Sequence, residues 1–261
     1  RSEKNIVQFD HPAISRYHAV LERMGKRFRI LDLQSANGVY VNGALIKGES
    51  WLKPGDRVKI GPYSFIFSGA GIQMEAETGY SIDAIHIHKW VSKSLNLLKD
   101  INLSIGGNEF VALVGMSGSG KTTFLDTLNG FRPATDGQVF VNGTSLYNNY
   151  DMFRDEIGYV PQRDIVHMEL TPTMALDYAA QLRLPADTSP DERRGVVEQT
   201  LKDLGLWERK DVPIWRLSGG QLKRVSIGVE LLTRPRLFFL DEPTSGLDPC
   251  TEYEMMRLLR R

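Results

Sequence analysis

Phe110–Asp126 reads FVALVGMSGSGKTTFLD, and this stretch decides how the rest of the chain is read. Phe110–Val114 is a continuous apolar run of the kind that forms a buried strand. A glycine-rich loop follows, and Thr122–Leu128 has helical character. The loop satisfies G-x-x-x-x-G-K-[ST] through Gly115, Gly120, Lys121 and Thr122, with Ser117, Gly118 and Ser119 inside it and Thr123 just after. The spacing has a chemical reason. Glycines allow successive backbone N–H groups to curl around phosphate oxygens, and the helix that follows aims its positive end at the same anion. Lys121 is placed to reach β- and γ-phosphates, and Thr122 to offer a hydroxyl to Mg²⁺.

The surrounding composition is that of an ordinary globular chain: 41% hydrophobic and 25% charged residues over 261 positions. Formal net charge is zero, which gives no bulk attraction to nucleic acid or to an anionic membrane. Cys250 is the one cysteine, so an internal disulfide framework is excluded and a reducing setting is expected. No apolar run approaches the ~18 residues of a membrane span, and no signal peptide is recognisable. The chain opens at Arg1 without a methionine, so a soluble fragment of a longer protein is expected.

Upstream, short alternating stretches (Ala19–Glu22, Phe28–Leu33, Val39–Val41, Arg57–Ile60 and Ser64–Phe67) alternate with turn signals such as Asn37-Gly38, Asn42-Gly43 and Lys53-Pro54-Gly55-Asp56. Short strands with frequent turns indicate a β-sandwich. Ser68–Tyr80 is small, polar and without period, and reads as a linker. The expected organisation is a sandwich over 1–70, a linker over 71–80 and an α/β domain over 81–261.

HPAISRYHA followed by LDLQSANGVYVNG resembles the forkhead-associated (FHA) domain, a sandwich that binds phosphothreonine peptides. The resemblance runs from Arg1 to about Phe67 and implies that the family's first strands precede Arg1. It also implies that Arg1 and Ser15, with Arg16 beside them, hold the phosphate and that Asn37 holds the peptide backbone; His18, one imidazole in a polar turn, braces the loop or contacts the ligand directly. An arginine fork and a hydroxyl suit a phosphate because charge-assisted hydrogen bonds are short and strong.

Downstream of the phosphate loop, Ile157–Val160 is an apolar strand ending at Pro161-Gln162, and Thr173–Leu184 and Glu192–Leu204 carry helical periodicity. Leu217-Ser218-Gly219-Gly220-Gln221 opens a further helix. A serine and two glycines there make a second anion site from exposed N–H groups, a hydroxyl and the helix dipole. Leu237–Leu240 runs straight into Asp241-Glu242, and Ser245–Asp248 follows. These segments occur in the order Walker A, Q-loop (Gln162), LSGGQ signature, Walker B and D-loop. In that order they resemble the nucleotide-binding domain of ATP-binding-cassette (ABC) proteins over about Ser81–Arg261, and the G-type (White) subfamily most.

That resemblance implies an all-β FHA-like sandwich followed by an α/β P-loop ABC ATPase domain, with ATP and Mg²⁺ as cofactors. Gly115, Ser117, Gly118, Ser119, Gly120, Lys121, Thr122 and Thr123 would bind ATP in one cassette, and Ser218, Gly219, Gly220, Gln221 and Asp248 would close over it from a second cassette in a head-to-tail dimer. Thr122, Asp241 and Gln162 would serve the metal, Glu242 would polarise the attacking water, and Gln162 would sense the γ-phosphate. A membrane-spanning domain, C-terminal in the same full-length chain, a phosphothreonine-containing protein and the cytoplasmic face of a cell membrane are implied as partners and place; no nucleic acid is expected. The family's switch histidine would lie past Arg261. Trp90 stacks on adenine or is an ordinary strand-edge aromatic. Two other functions stay open: a soluble ABC ATPase acting on DNA or ribosomes, and a phosphopeptide-binding module whose cassette binds ATP without turnover.

Overall fold

The computed structural model describes Ser2 and residues 4–75 and 79–259. The N-terminal strands are β1 (Ala19–Met24), β2 (Arg27–Asp32), β3 (Val39–Val41), β4 (Ala44–Leu45), β5 (Glu49–Leu52), β6 (Arg57–Ile60), β7 (Tyr63–Phe67) and β8 (Ile72–Met74). They form two antiparallel sheets, ordered β1-β2-β5 and β4-β3-β6-β7-β8. Ile30 and Leu52 from the first sheet meet Val39, Val58, Ile60, Phe65 and Phe67 from the second in one core. Strand alternation sends one set of side chains inward, and the facing sheet removes it from water. The Asn42-Gly43 turn between β3 and β4 has both central residues at positive φ (51° and 82°), as a two-residue hairpin requires.

The linker expectation needs correction. Ile72–Met74, inside the polar stretch, pairs with β7 as the edge of the larger sheet. The three residues are too few to show a period, and Ser68 holds the turn by donating from its hydroxyl to the Gly71 carbonyl at 2.9 Å. Ala76–Thr78 of the expected linker lie outside the described residues.

The chain divides into two compact units, one comprising Arg1–Glu75, Val160–Pro235 and Glu242–Arg261, the other Ala76–Tyr159 and Arg236–Asp241. In the second, β9 (Ile82–Ser92) and β10 (Leu95–Ile105) precede α1 (Lys121–Leu128), β11 (Asp136–Val141), β12 (Thr144–Ser145) and the single turn α2 (Tyr150–Phe153). The sheet order is β10-β9-β11-β12, and β13 (Ile157–Val160) pairs with β14 (Leu237–Leu240). Phe124 and Leu128 of α1 pack with Ile82, Ala84 and Ile87 of β9, Val139 and Val141 of β11, and Leu237 and Phe239 of β14. Asn142-Gly143 repeats the positive-φ hairpin turn (48° and 73°) between β11 and β12. Tyr80 donates its phenol proton to the buried Glu156 carboxylate, and burial first, then that carboxylate, pushes the phenol pKa far up.

Phe110–Val114, expected as a buried strand, is not one. It makes no ladder, and Phe110 and Val114 are 55% and 88% exposed. An apolar run specifies a tendency to bury, whereas a strand needs a partner edge; β13 and β14 form a two-stranded sheet among the described residues. Just upstream, Asn108 turns the chain at φ 62°, packed so close to Gly79 that a β-carbon there would sit 2.7 Å from the Asn108 amide nitrogen.

The first unit also holds α3 (Pro172–Arg183), α4 (Pro190–Asp203), α5 (Gly219–Leu231) and α6 (Pro249–Leu259). Thr171, Ser189 and Ser218 are their caps in α3, α4 and α5, and each side chain accepts a first-turn N–H. Close packing of α3, α4 and α5 depends on Gly228: a β-carbon there would lie 2.7 Å from Leu204 Cδ1 and 3.2 Å from Leu176 Cδ2.

Candidate functional site

The phosphate loop sits where its glycines allow. Gly118 and Gly120 take φ of 76° and 92°, in the left-handed region that penalises a side chain. Gly120 is the N-cap of α1 and offers no side-chain acceptor, so the first-turn N–H groups of Lys121, Thr122 and Thr123 keep their anion-binding capacity. Lys121 Nζ folds back over the loop, donating to the carbonyls of Gly115 and Met116, each at 2.9 Å. Gly115, Ser117, Gly118 and Ser119 are exposed around it. Thr122 Oγ1 donates to Asp241 Oδ2 at 2.8 Å, and Asp241 is buried at the end of β14. A hydroxyl and a carboxylate in contact are hard oxygen donors of the kind Mg²⁺ takes, since that ion keeps most of its shell for water and phosphate. The Trp90 side chain stands half-exposed on β9, and its backbone N–H donates to Thr135 Oγ1.

In the other unit Gln162 Nε2 donates to Glu242 Oε2 at 2.8 Å. Glu242 holds φ at 46°, a left-handed backbone that costs a non-glycine residue about 1 kcal/mol or more, and its carbonyl accepts the Ser245 N–H at 3.1 Å. Gln162 is anchored from behind by Lys223, which sequence reading passed over. Its Nζ donates to the carbonyls of Gln162 (3.1 Å) and Pro161 (3.3 Å), 3.1 Å from Asp164 Oδ1, and the side chain is buried on α5. The available signal was a lysine among Leu222, Val225 and Val229 with no pairing partner one helical turn away.

Ser218 and Gln221 form a capping box: Ser218 Oγ accepts the Gln221 N–H, and Gln221 Oε1 accepts the Ser218 N–H. Gly219 and Gly220 complete the turn. A β-carbon at Gly220 would clash with Thr251 Cγ2, so the glycine is a packing requirement as well. Asp248 is engaged locally: its carboxylate accepts from the Thr251 hydroxyl first, then from the N–H groups of Thr251 and Cys250, which hold its pKa below the usual range.

In the sandwich, Ser15 is buried and its Oγ accepts the Ala36 N–H at 3.1 Å, while Asn37 Nδ2 donates to the Ala13 carbonyl at 2.8 Å. His18 Nδ1 accepts the Ser15 N–H (3.1 Å) and Nε2 faces the Gly38 carbonyl (3.0 Å), so the neutral Nε2–H tautomer ties both loops together. Arg16 pairs with Glu192 of α4. Arg1 lies outside the described residues.

The ABC transporter family model matches residues 98–245, more than half of the chain, and the FHA domain model matches residues 1–61. An ABC transporter ATP-binding/permease protein of Mycobacterium tuberculosis is 38% identical across all of this chain and 31% of its own length. ABC transporter G family member 28 of Arabidopsis thaliana is 39% identical over 65% of the chain and 16% of its own length. The chain thus spans about a third of the first relative and less of the second. Among solved structures, cbiO1 of Clostridium perfringens, part of an ABC transporter complex, aligns at a TM-score of 0.61 with 32% identity over 70% of this chain and 73% of its own. A dimeric ATP-binding cassette in a post-hydrolysis state with ADP and Pi aligns at 0.61 with 29% identity, over 68% and 81%. The segment after the sandwich is an ABC-type ATPase domain.

Two measurements probe these contacts. Lys223→Met leaves two part-buried carbonyls and the Asp164 carboxylate without their cation, so it should cost on the order of 2 kcal/mol in urea unfolding. It should also lower kcat roughly ten- to a hundredfold with KM for ATP unchanged, with recovery in Lys223→Arg; a fall in stability alone would make the lysine purely structural. Burial lowers the His18 pKa from 6.5, so the neutral form is the folded form. The unfolded chain then binds the extra proton first, and sandwich stability should be full above about pH 6.5 and decline as pH falls below it. His18→Gln should flatten that dependence, as read by urea midpoints at several pH values.

Proposed function

Because the chain belongs to the ABC transporter family, we propose that it is the ATP-hydrolysing part of a membrane transporter whose N-terminal sandwich reads phosphothreonine as a regulatory input. The observation that carries this reading is the contact between Thr122 Oγ1 and Asp241 Oδ2, which joins the end of the phosphate loop to the end of the Walker B strand. Lys121 exchanges its two loop carbonyls for β- and γ-phosphate oxygens, and the open N–H groups at the start of α1 take the rest. Thr122 and Asp241 are the residues that would hold Mg²⁺, which supplies charge neutralisation on the phosphates when bound.

Glu242 accepts a proton from a water as its oxygen attacks the γ-phosphorus. The bond to the bridging oxygen breaks, and ADP departs with that electron pair. Gln162, already bonded to Glu242, orients the carboxylate and reports the γ-phosphate. The Ser218–Gln221 turn is a second anion site in the same chain. Two such sites make sense if each chain completes the other's, with Ser218, Gly219, Gly220, Gln221 and Asp248 closing over the partner's nucleotide in a head-to-tail pair. The membrane-spanning partner would hold that pair at the cytoplasmic face, and the sandwich would bind a phosphothreonine protein through Ser15, Arg16, Asn37 and Arg1. No described helix is long and apolar enough to cross a membrane.

Glu242→Gln tests the assignment. ATP binding should persist, hydrolysis should fall about 10²–10⁴-fold, and an ATP-bound dimer should accumulate in size-exclusion chromatography. Turnover near that of the parent protein would remove Glu242 from the role of base.

A further inference from the structure

The loop expected to grip a phosphate already faces acid. The Arg16 backbone N–H donates to Asp187 Oδ2 at 2.5 Å, and its guanidinium Nη2 donates to Glu192 Oε2 at 2.6 Å. Both carboxylates come from the segment that opens α4. Together they offer acceptor oxygens and two negative charges, close to what a phosphate monoester offers at neutral pH. Glu192 raises the Arg16 pKa, first through its hydrogen bond and then through its charge.

The acidic segment is held in place independently of Arg16. Glu192 is the third residue of α4 in a capping box, where its Oε2 also accepts the Ser189 N–H at 2.8 Å and the Ser189 hydroxyl at 2.9 Å. Thr188 N–H donates to the Pro185 carbonyl at 2.9 Å, and Leu184 is buried beside it. The receiving loop is held as firmly. His18 and Ala36 fix Ser15, and Ile14 packs over Gly61, where a β-carbon would come within 2.9 Å. Two rigid surfaces of opposite charge therefore meet through a backbone donor and a side-chain donor of the same arginine.

We propose that the Asp187–Glu192 turn is an internal, phosphate-mimicking ligand of the FHA loop, and that a phosphothreonine peptide binds by displacing it. This rests on the phosphothreonine reading given above and adds its regulation. The engaged state lowers apparent peptide affinity by the fraction of molecules in which the loop is free. It also gives the sandwich a handle on the ATPase domain, because α4 packs with α3 and with α5, the helix that begins at the Ser218 anion site. Arg16 and Glu192 side chains are 40% and 38% exposed, so solvent screens the pair and the effect is modest, about three- to tenfold in affinity.

The test removes the internal acid and keeps the helix cap. Asp187→Ala with Glu192→Gln deletes both charges, and glutamine still serves in a capping box. A degenerate phosphothreonine peptide library and its unphosphorylated twin are titrated by fluorescence anisotropy against the parent protein and the double variant, and hydrogen exchange is followed over Ser15–His18. The double variant should bind the phosphorylated library about three- to tenfold more tightly and exchange faster at Arg16, with ATP affinity unchanged. Equal phosphopeptide affinity in the two proteins would overturn the internal ligand while leaving the phosphothreonine reading intact. Binding to neither protein, or equal binding of phosphorylated and plain peptides, would overturn the phosphothreonine reading, and the competition falls with it.

Discussion

The hydrogen bond from Thr122 to Asp241 fixes what the nucleotide-binding unit can do. A buried carboxylate without a donor is costly, so the end of β14 and the start of α1 must stay together. The strand supplies the means. Leu237 and Phe239 are buried against Phe124 and Leu128, and the chain then delivers Asp241 at the rim of that core. The next residue, Glu242, turns left-handed at φ 46°, so two consecutive carboxylates serve two different neighbours, Thr122 and Gln162.

Helix N-termini carry the recognition chemistry in three versions. At α4 and α5 a capping box satisfies the third-residue N–H and the cap N–H from within, through Ser189–Glu192 and Ser218–Gln221. At α1 the cap is Gly120, which brings no oxygen, and the donors stay open to an anion from outside. In α4 the capping glutamate has a second use, since the same oxygen that closes the box receives the Arg16 guanidinium.

Local chemistry was legible in the sequence because it is written in neighbouring residues. Asn42-Gly43 forms the expected turn, and the strands that lead to Gln162 and Asp241 stand where their apolar runs place them. The family match over 98–245 bears out the reading of an ABC nucleotide-binding domain. What was not legible depended on partners distant in sequence. The apolar character of Phe110–Val114 said nothing about which strand edge would receive it, and the structure leaves it exposed. Ile72–Met74 became a strand because β7 offered an edge, not through any period of its own. Lys223 reads as a surface lysine until the Q-loop carbonyls arrive from sixty residues away, and Arg16 reads as a free phosphate ligand until Glu192 meets it.

The central claim is that Thr122 and Asp241 act as one metal-binding unit in the nucleotide site. Mn²⁺ can stand in for Mg²⁺ and be followed by electron paramagnetic resonance with ATP present, in Thr122→Ala, Asp241→Asn and the double variant. Each single change should weaken Mn²⁺ binding, and the double variant should lose less than the sum, with a coupling above about 0.5 kcal/mol. Strictly additive losses, or Mn²⁺ affinity untouched by either change, would contradict the account.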